Sequence, residues 1–415
     1  MEENQVLIPD GWTEDSLGSI LDYEQPYKYT VDATEYDDRS GIPVLTAGKS
    51  FILGYTTEQH NIYKSTPVII FDDFTTDSKF VDFPFKVKSS AMKFLKPKKP
   101  DKFDIKIIFG HLQNLKFRET GGDHKRRWIS EFSKLRIVLP PSTEQTQIAT
   151  ILAKVDEAIA QTEQLIAKYT RIRTGLMQDL LTKGIDKHGN IRSEETHEFK
   201  DSSLGRIPKE WNVSSVDSLC SEIVVGIVIR PTQYYKESGI PMLRSQNIKV
   251  DGVVMKDLVY MSEIDNNKLV KSKLSENDVV SVRTGYPGTT AVISKKIEGC
   301  NCIDLVISRP NQSLLNSHFL ALFINSELGR KQILNHQSGI AQQHFNVGQM
   351  KDLMIVKIAI SEQLRILDNI SSINIQIADF GSSLSKLQSL KTGLMQDLLS
   401  GKVRVNHLIK ETLTV

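Results

Sequence analysis

The octapeptide Thr-Gly-Leu-Met-Gln-Asp-Leu-Leu occurs twice, at 174–181 and again at 392–399, an offset of 218 residues. Ile8-Pro9-x-x-Trp12 returns as Ile207-Pro208-x-x-Trp211, and Ser40-Gly41-Ile42-Pro43-Val44-Leu45 as Ser238-Gly239-Ile240-Pro241-Met242-Leu243, at offsets of 199 and 198. A tandem repeat of this kind constrains the fold more than any bulk property. The 415 residues must build one architecture twice, with pseudo-twofold symmetry inside a single polypeptide.

Each repeat ends in a long helical pattern. Residues 143–181 place Ile148, Leu152, Val155, Ile159, Ile166, Tyr169, Ile172, Leu176 and Leu180 on one seam, with Thr162 as its single polar member. The same positions 218 residues later are Ile366, Ile370, Ile373, Ile377, Phe380, Leu384, Leu387, Leu390, Leu394 and Leu398. The steps are all threes and fours, close to the ~3.5-residue period of a coiled coil. A helix of this length spans about 50 Å at ~1.5 Å per residue. A bare apolar stripe that long is a solubility liability, so the two helices are expected to pack on each other. Gly175 and Gly393 interrupt the stripes at a cost of about 1 kcal/mol each, and a close backbone approach where the helices cross would explain them. Pro140-Pro141 ends the chain's preceding element before the first helix. Glu144 and Glu362 put acid into each first turn, where the helix dipole favours it.

The regions ahead of the helices hold short β-rich runs: Pro67–Phe71, Lys134–Leu139, Asp278–Val282 and Leu353–Val356. His318–Ile324 reads as a helix. The expected fold class is therefore α/β (α+β), with two pseudo-symmetric domains separated by two long antiparallel coiled-coil helices. The expected boundaries are a first domain over 1–141, a first spacer helix over 142–182, and a polar, glycine-containing linker over 183–199. A second domain over 200–358, a second spacer helix over 359–402 and a tail over 403–415 follow. The stretch Leu45 to Leu135 spans 90 residues and its partner Leu243 to Leu353 spans 110. The domains match at their edges and diverge in the middle, as two modules reading different ligands would.

Hydrophobic residues make up 40% and charged residues 25%, an ordinary globular balance. Net charge is only +2, so any surface for a polyanion must be local. No secretory signal and no membrane span is expected. Three cysteines, Cys220, Cys300 and Cys302, argue against a disulfide framework and for a reducing cytoplasm. Cys300-x-Cys302 lacks a second ligand pair, so no metal site is expected.

A polyanion surface has an evident candidate. Residues 86–136 carry fifteen Lys or Arg against five Asp or Glu, a local net of +10. Lys98 and Lys99 form one cluster with Lys96, and Lys116 and Arg118 a second. Lys125-Arg126-Arg127-Trp128 follows Gly121-Gly122 and forms a third. Flexible glycine followed by basic and aromatic residues suits a loop that meets phosphates and base edges. In the second repeat the equivalent segment carries Gln342, Gln343 and His344 ahead of the last strand. Arg244, Gln246 and Asn247 after the Ser-Gly-Ile-Pro motif, and Arg283 in Arg-Thr-Gly-Tyr-Pro-Gly, are further candidates. A twofold molecule with such loops fits duplex DNA, itself nearly twofold.

Catalytic patterns are missing. The chain has no Gly-x-x-x-x-Gly-Lys-Ser/Thr loop, no Gly-rich cofactor fingerprint, no Asn/Asp-Pro-Pro-Tyr/Phe motif, no His-Glu-x-x-His and no Gly-x-Ser-x-Gly. Asp101, Asp104 and Lys106 only faintly imitate a nuclease arrangement.

In combination, these motifs resemble the specificity subunit of type I restriction–modification systems. Leu204-Gly205-x-Ile207-Pro208-x-x-Trp211 is similar to that family's domain opening. Leu139-Pro140-Pro141-Ser142-Thr143-Glu144-Gln145-x-x-Ile148 is similar to its strand-to-helix junction, and the repeated octapeptide to its helix end. Ala359-Ile360-Ser361-Glu362-Gln363-x-x-Ile366 lacks the prolines, so a differently shaped helix start is expected there. The resemblance implies a non-catalytic subunit in which each domain reads one half of an asymmetric bipartite site on double-stranded DNA. The helices would set the gap and dock two methyltransferase subunits that carry S-adenosylmethionine. Motor–nuclease subunits would use ATP and Mg, and this chain itself would hold no cofactor. A structural coiled-coil adaptor and a stand-alone DNA-modifying enzyme are the alternatives.

Overall fold

The computed structural model describes residues 8–38, 40–46, 50–115, 126–335 and 344–409. Compactness divides the chain into two units: Met1–Gln164 with Gly381–Val415, and Leu165–Phe380. The division falls inside both long helices, Ser142–Thr182 and Ile360–Leu399, so each helix contributes one half to each unit.

Unit 1 is built on an antiparallel sheet with the spatial order Leu21–Glu24, Met92–Pro97, Val68–Asp72, Ser78–Val81. Val68–Asp72, which overlaps the β-rich run at 67–71, is buried along its whole length. A second sheet joins Ile52–Thr56, Ile42–Leu45 and Lys86–Val87, and Thr13–Ser16 pairs with Arg136–Leu139. Unit 2 repeats this scheme strand for strand. Its four-stranded sheet runs Cys220–Val225, Leu305–Pro310, Val279–Val282, Thr290–Val292. Its second sheet joins Val259–Met261, Ile240–Leu243 and Asn301–Cys302, and Asn212–Ser215 pairs with Met354–Lys357. The two Ser-Gly-Ile-Pro motifs thus open the middle strand of the same three-stranded sheet in each unit.

Within each unit the helix halves run antiparallel. In unit 1, Ile148 and Leu152 share a core with Met395, Leu398 and Leu399, and Lys391 Nζ lies 2.5 Å from an Asp156 carboxylate oxygen. In unit 2, Leu180 and Leu181 share a core with Ile366 and Ile370, and the rings of Tyr169 and Phe380 meet at 5.3 Å. Ile148, Leu152, Ile366 and Ile370 are buried, and each such burial is worth about 1.5–3 kcal/mol. Val155, Ile159, Ile373 and Ile377 are half-buried. The glycines do not mark a close approach. A Cβ built on Gly175 or Gly393 meets nothing within 4 Å, and the neighbouring seam residues Ile172 and Leu390 remain 43% and 51% exposed. The stripe is wider than the surface that the helix partner covers.

The helix starts are fastened identically. Gln145 Oε1 accepts the Asp104 N–H at 2.7 Å, and its Nε2 donates to the carbonyls of Pro140 (2.8 Å) and Lys102 (3.1 Å). Gln363 does the same with the Asn316 N–H and the carbonyls of Ile358 and Leu314. Asp104 and Asn316 in turn cap the helices Ile105–Asn114 and Ser317–Asn325. Asp104 is therefore a helix cap in these surroundings. The missing prolines leave the junction at 359–363 unchanged, because the bonds come from Gln363 and from backbone carbonyls that any residue supplies.

The preceding glutamates hold a returning chain. Glu144 is 1% exposed and accepts hydrogen bonds from Arg404, from the Val405 N–H and from Trp12 Nε1. Glu362 accepts from Arg192 and from the Ile185 N–H, with the Arg192 guanidinium over the Trp211 ring. The segment after each long helix thus folds back onto the Ile-Pro-x-x-Trp motif of a domain. Gly184 and Gly401 make the turn with φ of +68° and +72°, and a Cβ on Gly184 would lie 2.1 Å from the Trp211 ring. The polar stretch after residue 183 is accordingly not a free tether, since Ile185 and Arg192 are buried.

Candidate nucleic-acid interface

In unit 1, strand Val68–Asp72 runs out into Asp73, which is 3% exposed. One Asp73 carboxylate oxygen sits 3.0 Å from Lys93 Nζ, and the other accepts the Trp128 N–H at 2.9 Å. Trp128 packs edge-on against Phe71 at 5.4 Å. Asp73 therefore pins the residue that ends the basic, glycine-containing segment. Lys116, Arg118 and Lys125 lie outside the described residues. Arg126, exposed, and Arg127, half-buried, emerge at this anchored end.

Lys98 and Lys99 do not join them. They follow strand Met92–Pro97, whose other end, Met92, pairs with Asp72. Six residues at ~3.3 Å each put the two clusters about 20 Å apart along the strand. Lys98 Nζ donates to the Gly18 carbonyl at 2.7 Å, and Lys99 is exposed. Two other cations of the basic stretch are buried: Lys93 against Asp73, and Lys86 against Glu58 at 2.5 Å. Lys86 also answers for the cluster of Asp32, Glu58 and His60, whose ligand atoms lie within 4.8 Å of one another. Its ammonium already supplies the positive charge beside Glu58. Burial by itself would raise the Glu58 carboxyl, but the hydrogen bonds from Lys86 and from the Ala33 and Asp32 N–H groups hold it below the ordinary range.

In unit 2 the corresponding strand, Val279–Val282, runs out into Arg283. Its carbonyl accepts the Phe345 N–H at 2.9 Å, and its guanidinium contacts both the Asp304 carboxylate and His344 Nε2. Phe345, 1% exposed, takes the place that Trp128 holds in unit 1. Gln342 and Gln343 lie outside the described residues. Backbone bonds gather further loops here: Asp304 N–H to Ile227 O at 3.1 Å, and Ile303 N–H to Leu243 O at 2.8 Å. Segments 226–230, 243–247, 283–288, 303–304 and 344–345 thus share one end of the unit.

Arg244, Gln246 and Asn247 sit in this group and bond to the backbone of their own turn, while Arg244 Nε is buried without a partner. Arg244 and Gln246 donate to the Asp257 carbonyl at 2.6 and 3.1 Å. Asn247 is 1% exposed, donates to the carbonyls of Val254 and Lys256, and accepts the Arg244 N–H. It shapes the turn that follows. Arg230, Ile229 and Tyr286, which sequence reasoning passed over, stand exposed on the same loops. A turn-rich hexapeptide holding one aromatic was the available sign for Tyr286.

The two units present one scaffold with opposite chemistry. At the strand end unit 1 has an acid and takes its base from the neighbouring strand. Unit 2 has a base there and takes its acid, Asp304, from the neighbouring strand's approach. The helices carry a second pair of equivalent surfaces. Leu180, Leu181, Leu398 and Leu399 are buried, yet Thr174, Gln178, Thr392 and Gln396 are identical and exposed. Packing within the chain does not require their identity.

Comparison with known proteins agrees with this architecture. Residues 9–171 match the model of the type I restriction modification DNA specificity domain. A type I restriction enzyme specificity subunit of Escherichia coli is 48% identical over 158 residues, which are 37% of this chain and 39% of that relative's own length. One of Methanocaldococcus jannaschii is 23% identical over 98% of this chain and 96% of its own. Among solved structures, the S subunit of a type-I restriction-modification system from M. genitalium superposes with a TM-score of 0.57 at 15% identity, covering 96% of this chain and 98% of that one. A chain from work on complex assembly and conformational transition of the type I R-M system gives 0.56 at 17% identity, over 95% and 99%. Residues 9–171 are thus similar to the type I restriction modification DNA specificity domain, and the whole chain shares the fold of these solved S-subunit structures.

Proposed function

We propose that this chain is the non-catalytic DNA-reading subunit of a type I restriction–modification complex. Each unit reads one half of an asymmetric bipartite site, and the paired helices hold the readers at a fixed separation. The observation that carries this reading is one strand scaffold built twice, with an acidic anchor at Asp73 and a basic one at Arg283 beneath the two candidate loops. Equal frames with unequal chemistry suit a target whose halves differ in sequence but share duplex geometry. Arg126 and Arg127 serve phosphates in unit 1, and Arg283 and His344 serve base edges in unit 2. Lys98 and Lys99, on the far end of the strand, serve a more distant stretch of backbone. The repeated exposed octapeptide faces dock two methyltransferase subunits carrying S-adenosylmethionine. Motor–nuclease subunits with ATP and Mg complete a cytoplasmic complex. No described helix is long and apolar enough to cross a membrane.

The test is a map of modified adenines in the host genome with and without this gene. Loss of one bipartite motif on both strands is the expected result and reads out the target. Methylation unchanged in a host that expresses the gene and its methyltransferase would overturn the assignment.

A further inference from the structure

The inference rests on the DNA-reading role proposed above and concerns a residue to which that role has not yet been given. Among the described residues, the two most exposed large apolar side chains are Tyr286, at 83%, and Ile229, at 75%. They belong to adjoining loops, joined through Asp304. The Asp304 N–H bonds to the Ile227 carbonyl and its carboxylate to Arg283, three residues before Tyr286.

The loop that carries Tyr286 is held firmly at its base. The Gly288 N–H donates to Val282 O at 2.9 Å, the Val282 N–H to Thr289 O at 2.8 Å, and the Thr289 N–H to Tyr286 O at 3.2 Å. Gly285 and Gly288 turn with φ of +88° and +80°, and Gly288 lies so close to Ile333 that a Cβ would collide with it. Pro287 fixes a further φ. The ring is therefore presented to water by a backbone with little freedom to withdraw it. Exposing a rigid aromatic forgoes the gain of burying it, and such a residue contributes to binding at low entropic cost.

The surroundings identify the occupant. Arg230 is exposed on the Ile229 loop. Arg283, three residues before Tyr286, contacts His344, and the one acid among them, Asp304, is neutralised by Arg283. Arg283 Nε is buried without a hydrogen-bond partner. Arg230, Asp257 and Asp304 account for three of the six non-glycine residues with left-handed backbone among the described residues. Such outliers gather at binding sites. Apolar tips among cations suit a duplex groove, where rings and aliphatic groups contact thymine methyls or wedge into a base step while cations meet acceptors.

We propose that Tyr286 is a specificity-determining residue of unit 2. Its ring makes an apolar contact to a base pair in the half-site read by that unit, with Ile229 as the neighbouring apolar contact and Arg283 as the adjacent polar one. The test selects bound duplexes from a randomised pool with the full chain, alone and assembled with methyltransferase subunits. Wild type, Tyr286→Ala and Tyr286→Phe are compared. Tyr286→Ala should lose preference at one or two adjacent positions of one half-site. It should bind the wild-type site about tenfold more weakly, within the usual cost of one mismatched pair, with its thermal midpoint and non-selective binding unchanged. Tyr286→Phe should keep the preference, because the ring makes the contact. Base preferences of Tyr286→Ala identical to wild type, or losses scattered over both half-sites, would overturn the inference while leaving the DNA-reading role intact. Loss in Tyr286→Phe equal to that in Tyr286→Ala would also overturn it. Wild-type complex that selects no sequence would remove the role and the inference together.

Discussion

Arg404 grips Glu144 with two parallel hydrogen bonds, Nε to Oε1 and Nη2 to Oε2, both 2.9 Å, across 260 residues of sequence. Bidentate geometry of this kind is the strong form of an ion pair. The pair ties the segment after the second helix to the start of the first. Arg404→Ala should destabilise unit 1 by about 1–3 kcal/mol, below the full cost of a broken buried pair because Arg404 keeps 30% of its side chain exposed. Urea unfolding followed at Trp12 and Trp128 measures it. A midpoint equal to wild type would show that the tail is dispensable.

The same carboxylate sets an acid limit. Burial alone would raise the Glu144 carboxyl, but the bonds from Arg404, Val405 and Trp12 hold it below its usual range. A depressed carboxylate stabilises the fold above its unfolded value near 4.5 and loses that contribution as pH falls through the folded value. Glu144→Gln should therefore flatten the loss of stability below pH ~4.5. Stability that falls as steeply in the variant would place the acid limit elsewhere.

His111 acts at a higher pH. Its buried surroundings push the imidazole down to about 4, against a weaker opposing effect of its bond to the Val138 backbone, and its Nε2 has no hydrogen-bond partner. The neutral ring is favoured in the fold, so stability present above ~6.5 is lost progressively as pH falls toward 4. The swing is of the order of 1–3 kcal/mol. His111→Phe should remove this slope between pH 6.5 and 4, and chemical unfolding at a series of pH values reads it directly.

Gly175→Ala and Gly393→Ala meet open space, so each should stabilise its helix by about 1 kcal/mol. If the exposed octapeptide faces dock partner subunits, the same substitutions should weaken co-purification of a methyltransferase while raising the thermal midpoint. Higher stability with undiminished assembly would remove these glycines from the docking face.

Replacing Arg126 and Arg127 by Gln should flatten the salt dependence of DNA binding by up to ~0.9 in log–log slope for each phosphate that is no longer neutralised. Titration at several salt concentrations gives the slope, and an unchanged value would take both residues off the phosphate surface.

The helices and the twofold plan were legible in the sequence because they are periodic: a seam with steps of three and four, and an octapeptide at offset 218, survive without any knowledge of packing. The candidate site was legible only as charge density. Fifteen cations over 86–136 do not reveal which end of strand Met92–Pro97 each will face, nor that Lys86 and Lys93 turn inward to Glu58 and Asp73. Asn247 offered a base-reading side chain that the fold spends on its own turn. The glycines of the helices defeat a one-dimensional reading because an unfilled seam position and a close approach look alike there. The equivalence of Arg192 and Arg404 was hidden for another reason. The two follow helix ends that are 218 residues apart but themselves stand 212 apart, so no single offset pairs them.

The division of the two units has a consequence for synthesis. Unit 2 is one continuous stretch, Leu165–Phe380, whereas unit 1 needs Gly381 onward to cover Ile148 and Leu152. On the ribosome, the segment made first must wait with an uncovered apolar strip while the segment made second can close upon itself. The order of translation and the order of completion are thus reversed. The interval between them is when the nascent chain is most open to a chaperone or to a neighbouring copy of itself.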